Sequence, residues 1–138
     1  FTTFALLVAM FGAAEAKMQN VTVKGVVTCG KYAASNVKIV LWEHDTLDSN
    51  DKLNEVLTNR RGEFTIKGGE DEIGSIKPFL IISHDCNPPT KKGKTCTRDS
   101  KFDIPKQYIY KNGDKANVYD MGTFSLNIIG KDDKEVCK

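Results

Sequence analysis

Apolar residues in this chain recur at every second position in several segments, and no segment keeps a sustained 3.6-residue pattern. Val21, Val23, Val27 and Cys29 share one side of an extended segment, with Gly25 between them and Thr22, Lys24 and Thr28 opposite. Phe64 and Ile66 alternate with Glu63, Thr65 and Lys67, and Phe124, Leu126 and Ile128 alternate with Thr123, Ser125 and Asn127. Such alternation predicts strands with one face on a core and one in water. The predicted core between two sheets comprises Val27, Ile39, Leu41, Phe64, Ile66, Phe124 and Leu126.

Two segments depart from simple alternation. In Val37–His44 the odd positions 37, 39 and 41 are apolar, yet so are Val40 and Trp42. Phe79–Cys86 also starts apolar on both faces. These strands predict a sheet whose outer face is partly covered, by a short helix, a loop or a second subunit. Turn residues at Gly30–Lys31, Arg61–Gly62, Gly68–Gly69, Asn87–Pro88–Pro89 and Asn112–Gly113 divide the chain at intervals typical of a β-sandwich. Asp71–Ile76 is the one place for a short helix or turn.

The first sixteen residues stand apart from this pattern. An uncharged apolar run to Phe11 is followed by small residues at Ala14 and Ala16, which reads as a secretory signal peptide cut before Lys17, its start missing. The run is too short to span a hydrocarbon core of ~30 Å. A single β-sandwich domain over residues 17–138 is expected to follow. Loss of Glu15 would raise the formal charge from +2 to +3, too little to suggest nucleic acid.

Four cysteines, Cys29, Cys86, Cys96 and Cys137, remain behind the expected signal, and an even count there reads as two disulfides. Three connectivities are open. The turn-rich loop between Cys86 and Cys96 can bring its ends together, which predicts Cys86–Cys96 and leaves Cys29–Cys137. A zinc site with His84 is the alternative, but no Cys-x-x-Cys spacing supports it. His84-Asp85-Cys86 would place a base beside a thiol, although a disulfide removes the thiolate. Asp45, Asp48 and Asp51 offer oxygen ligands for calcium without EF-hand spacing, so no metal or other cofactor is expected. Lys91, Lys92, Lys94, Arg98 and Lys101 cluster around the predicted disulfide loop, and a rigid loop lowers the ordering cost of binding. Asn20-Val-Thr22 is a glycosylation sequon near the expected exposed end.

Taken in order, Val23-Lys-Gly-Val-Val-Thr-Cys29, Val37-x-Ile-x-Leu-Trp-Glu43, Arg61-Gly-Glu-Phe64, Pro78-x-x-x-Ile-x-His-Asp-Cys86, Ile104-Pro105 and Asp120-x-Gly122 resemble the nematode transthyretin-like family. The resemblance runs from about residue 20 to residue 128. It implies an all-β fold of roughly eight strands in two sheets, an immunoglobulin-like sandwich with at most one short helix, and it implies secretion. It does not supply an activity, since fold alone does not set function. Hydroxyisourate hydrolase shares that fold and uses two histidines and an arginine. Here His44 and His84 sit at the ends of middle strands, and the chain ends Lys-Glu-Val-Cys-Lys138 without the hydrolase signature.

These readings predict a secreted, non-enzymatic binding protein. Its expected partner is a cell-surface receptor or an anionic phospholipid surface, met by the basic loop, where each Lys or Arg contributes about 1 kcal/mol. The alternative is a carrier of a small hydrophobic ligand, and less favoured still is a hydrolase. No transmembrane segment is expected.

Overall fold

The computed structural model describes residues 17–45, 49–86 and 95–138. The expected signal peptide, part of the acidic stretch (46–48) and Lys91, Lys92 and Lys94 lie outside the described residues.

The fold is a nearly all-β open sandwich of two five-stranded sheets. The strands are β1 (Lys17–Cys29), β2 (Tyr32–Ala33), β3 (Lys38–Glu43), β4 (Asp51–Leu57), β5 (Glu63–Glu72), β6 (Pro78–His84), β7 (Cys96–Asp103), β8 (Tyr110–Lys111), β9 (Tyr119–Ser125) and β10 (Lys134–Cys137). β1 is the hub of the first sheet. It pairs along most of its length with antiparallel β5, runs parallel to β9, and takes the short β2 and β8 near its two ends. The second sheet has the order β10-β7-β6-β3-β4, each pair antiparallel. Among the described residues the only helical turn is a 3-10 turn at Lys106–Tyr108, while Asp71–Ile76 holds the end of β5 and a turn.

Period-two alternation places the core where expected. Val21, Val23, Val27, Phe64 and Ile66 from the first sheet meet Ile39, Leu41, Leu80 and Ile82 from the second, all buried, with Leu126 closing the layer. Phe124 is only half-buried, packing edge-on against Phe64 with centroids 6.4 Å apart. Ile128, expected to continue the β9 alternation, lies beyond the end of that strand and is 74% exposed.

Two glycine positions explain local departures. Gly62 has φ +75°, and a Cβ there would lie 2.1 Å from the Val27 carbonyl oxygen, so the turn into β5 requires glycine. Gly68–Gly69, expected as a turn, instead runs through the middle of β5. A Cβ at Gly68 would press to 2.9 Å from the Leu41 side chain, and one at Gly69 would collide with Asn20. The glycines allow close approach rather than a reversal.

The disulfide expectation is corrected. Cys29 pairs with Cys86 and Cys96 with Cys137. Cys29 ends β1 and Cys86 lies just past β6, so the first bridge ties one sheet to the other. Cys96 and Cys137 face each other in the β7–β10 register, and the flanking Thr95 and Lys138 exchange both backbone hydrogen bonds. That makes the cysteines a non-hydrogen-bonded pair, where side chains approach most closely, with Cα atoms 4.0 Å apart. Spacing along the chain favoured the short loop. Strand pairing decided otherwise.

Candidate binding site

Residues of β3 and β6 alternate between the two sides of the second sheet. Ile39, Leu41, Leu80 and Ile82 point inward, so Val40, Trp42, Phe79 and Ile81 belong to the outer side. This accounts for the two-sided apolar pattern of both segments. Val40 and Phe79 are nearly buried on that side, while Trp42 and Ile81 are half-buried. Lys101, opposite Ile81 on β7, reaches over the Phe79 ring with its Nζ 4.8 Å from the centroid. An ammonium on an aromatic face is attracted by the ring quadrupole.

An open groove of about 530 Å³ lies on this side. Trp42, Phe79 and Ile81 line its apolar part, and His44, Asp99, Lys101, Asp132 and Lys134 line its polar part. The walls are positioned by local bonds. Ser83 Oγ donates to Asp99 Oδ1 at 2.8 Å, His44 Nδ1 lies 3.1 Å from Asn50 Oδ1, and Lys101 is 3.8 Å from Asp103. The arrangement holds an apolar surface beside charges of both signs.

The residues singled out in the sequence do not converge on this groove as a set. Of the five basic residues, Lys101 lies on it. Arg98 is on the inner side of β7, only 4% exposed, with its Nη2 3.8 Å from Glu135, and so does not belong to an exposed basic loop. The alternation of β7 turns it inward, opposite His84. Asn20, expected at an exposed end, is 9% exposed in the middle of β1 pairing, and its Nδ2 donates to Asn112 Oδ1 at 2.8 Å.

His44 and His84 are far apart. The His44 N–H donates to the Lys77 carbonyl just before β6, whereas His84 ends that strand, about 23 Å away at ~3.3 Å per residue. Cys86 N donates to His84 Nδ1 at 3.2 Å, which puts the neutral ring's proton on Nε2, 2.8 Å from Ser100 Oγ. Ser100 in turn donates to Asp133 Oδ2 at 3.2 Å. Burial, assisted by the Arg98 charge, pushes the His84 pKa down from its ordinary value. This is a satisfied structural network with a disulfide-bonded neighbour, not an activated thiol.

Residues 24–105 match the transthyretin-like family. The chain belongs to this family. Transthyretin-like protein 16 of Caenorhabditis elegans is 40% identical over 123 residues, covering 89% of this chain and 86% of that protein. Transthyretin-like protein 46 of the same nematode is 35% identical over 136 residues, covering 96% and 75%. Transthyretin-like protein 5 is 36% identical over 121 residues, covering 87% and 85%. Among solved structures, a 9R-lipoxygenase from Cyanothece aligns with 88% of this chain and 20% of its own at 17% identity, with a TM-score of 0.45, too low to bear on function. No helix among the described residues is long and apolar enough to cross a membrane.

Proposed function

We propose that this transthyretin-like protein is an extracellular, non-enzymatic binding protein that takes a small amphipathic molecule into the groove on the outer side of its second sheet. The observation that carries this reading is the apolar floor formed by Trp42, Phe79 and Ile81, on a sheet face that ordinarily presents polar side chains to water. The groove's volume of about 530 Å³ falls within the usual range for small-molecule sites, roughly 300–1,000 Å³. Lys101 and Lys134 on its walls can hold a polar head while the floor takes an apolar body.

The two disulfides fit an oxidising compartment. The separation of the two histidines and the bonding of all four cysteines favour binding over catalysis. Recognition of a cell surface or anionic phospholipid by the basic segment has lost the bridge that was to hold it rigid, so it stands behind the groove reading.

Trp42 is the chain's single tryptophan, so its fluorescence reports on the groove. Titration of the folded protein with anilinonaphthalene sulfonate, an anionic amphipathic probe, should quench Trp42 saturably. Ile81→Asp should weaken that binding about tenfold, a loss of about 1.4 kcal/mol, with the fold kept. A response to anionic vesicles but not to the monomeric probe would transfer the function to a membrane surface. Saturable binding that Ile81→Asp leaves unchanged would remove the groove from consideration.

A further inference from the structure

At the end of the sandwich opposite the Cys29–Cys86 bridge, three strands bring carboxylates together. Glu43 is the last residue of β3 and shares the inward side with Ile39 and Leu41. Glu70 and Glu72 lie two apart near the end of β5, so they share one side of that strand. One carboxylate oxygen from each lies within 4.8 Å of the others. Asp51, which opens β4 opposite Glu43, is close enough for its charge to raise the Glu70 carboxyl. Gln19, itself buried, anchors the turn after Glu72 by donating to the carbonyls of Glu72 and Gly74 and accepting from Ile76 N–H.

This cluster is not a solvated acidic surface. Glu43 is 1% exposed, and its Oε2 has no hydrogen-bond partner among the described residues. The Glu70 Oε2 is also buried without a partner. The Lys77 backbone supplies one hydrogen bond to Glu43, but the charged groups acting most strongly on Glu43 and Glu70 are other carboxylates. None of the ion pairs among the described residues involves Glu43, Glu70 or Glu72. A buried carboxylate without a partner is costly. Burial and the neighbouring acids push the Glu43 and Glu70 carboxyls up to about 7. Either shared protons or a cation must offset the crowded charge.

We propose that Glu43, Glu70 and Glu72 form a binding site for a hard divalent cation, calcium in particular, with Asp51 beside it as a supporting ligand. All the donors are carboxylate oxygens, without a histidine or cysteine, which suits calcium, magnesium or manganese and not zinc. The ligand set favours calcium, because magnesium dehydrates reluctantly and is seldom held by protein carboxylates alone. Three carboxylates binding through both oxygens would supply about six ligands, as calcium takes. Glu70 and Glu72 are only half-buried, which leaves a way in from solvent. Of the aspartates in the 45–51 stretch, Asp51 stands beside this site, opposite Glu43 at the start of β4.

The test is thermal unfolding of the full chain after chelation, with calcium chloride or magnesium chloride added back at matched ionic strength. Calcium at 10 mM should raise Tm by about 5 °C or more, and magnesium by clearly less. Glu43→Gln and Glu70→Gln should each abolish the calcium shift. Glu55→Gln should keep it, since Glu55 is an exposed partner of Lys52. Glu72→Gln serves if Glu43→Gln does not fold. Isothermal titration should give one calcium per chain. A folded wild type whose Tm calcium leaves unmoved would overturn the proposal, leaving shared protons to offset the charge. A shift that survives both substitutions would overturn it as well, and an equal shift with magnesium would overturn the assignment to calcium.

Discussion

The two ends of this sandwich each bury ionisable side chains between the sheets, and they treat them in opposite ways. At one end His84, Ser100 and Asp133 form a chain of hydrogen bonds, Arg98 approaches Glu135, and two disulfides stand close by in sequence. At the other end Glu43 and Glu70 each bury one carboxylate oxygen, Oε2, that finds no hydrogen-bond partner among the described residues. A buried polar group with its partners in place stabilises one arrangement of the chain, whereas the same group without partners stores unfavourable energy that a ligand can release. Burial alone therefore does not mark a functional residue. The balance of partners does.

Four measurements can break or sharpen that contrast. The largest effect should come from the bridge at the histidine end. Replacing Cys29 and Cys86 together by serine opens a loop of 57 residues and should cost about 4 kcal/mol in the chain-entropy account. Urea unfolding measures the loss, and non-reducing peptide mapping checks the pairing itself. A Cys86–Cys96 peptide in that map would return the connectivity to the one expected from spacing.

Next is His84→Ala, which strands the Cys86 N–H and removes the partner of Ser100. A loss of about 2–3 kcal/mol at pH 8 is expected from the buried groups left unpaired. A loss below about 0.5 kcal/mol would mean that the network adds little.

At the acidic end the sign should reverse. Glu43→Gln, measured with chelator present at pH 8, removes a buried carboxylate from a crowd of like charges. It should leave stability unchanged or raise it by about 1 kcal/mol. A clear destabilisation would show that the buried Glu43 Oε2 is satisfied in the folded protein, and the contrast between the ends would fail.

The smallest effect is the pH dependence at His84. Its folded pKa lies below the unfolded value, chiefly through burial and then through Arg98, with Asp133, Asp85 and Asp99 acting the other way. Between the two values the unfolded chain binds the proton more readily than the folded one, so stability must rise with pH there. The contribution is present above about pH 6.5 and is lost as pH falls through the lowered folded value. Comparing urea midpoints of wild type and His84→Gln from pH 8 to 5 isolates it. Parallel curves would show that His84 titrates alike in both states.

Much of the fold was legible because strand periodicity is local. The alternation around Val23, Ile39, Phe64 and Leu126 identified inward residues without knowledge of what they meet. The doubled apolar pattern at Val40, Trp42 and Phe79 likewise announced an outer face with apolar character, and the groove lies there. Arg98 was misread because its sequence neighbours are basic, whereas its burial follows from its place in the β7 alternation.

What the sequence determined by itself was therefore the extended character of the chain, the residues that must face inward, the two-disulfide complement and the family. Only the tertiary structure decided which cysteines meet, because pairing depends on how β1 lies over β6 and where β10 joins β7, not on loop length. The same holds for Glu43, Glu70 and Glu72. Glu43 lies on a different sheet from the other two, far away along the chain, and no local pattern ties it to them. Their carboxylates share one space only because the stacking of two twisted sheets closes that end of the sandwich around them, and stacking is a property of the whole packed core.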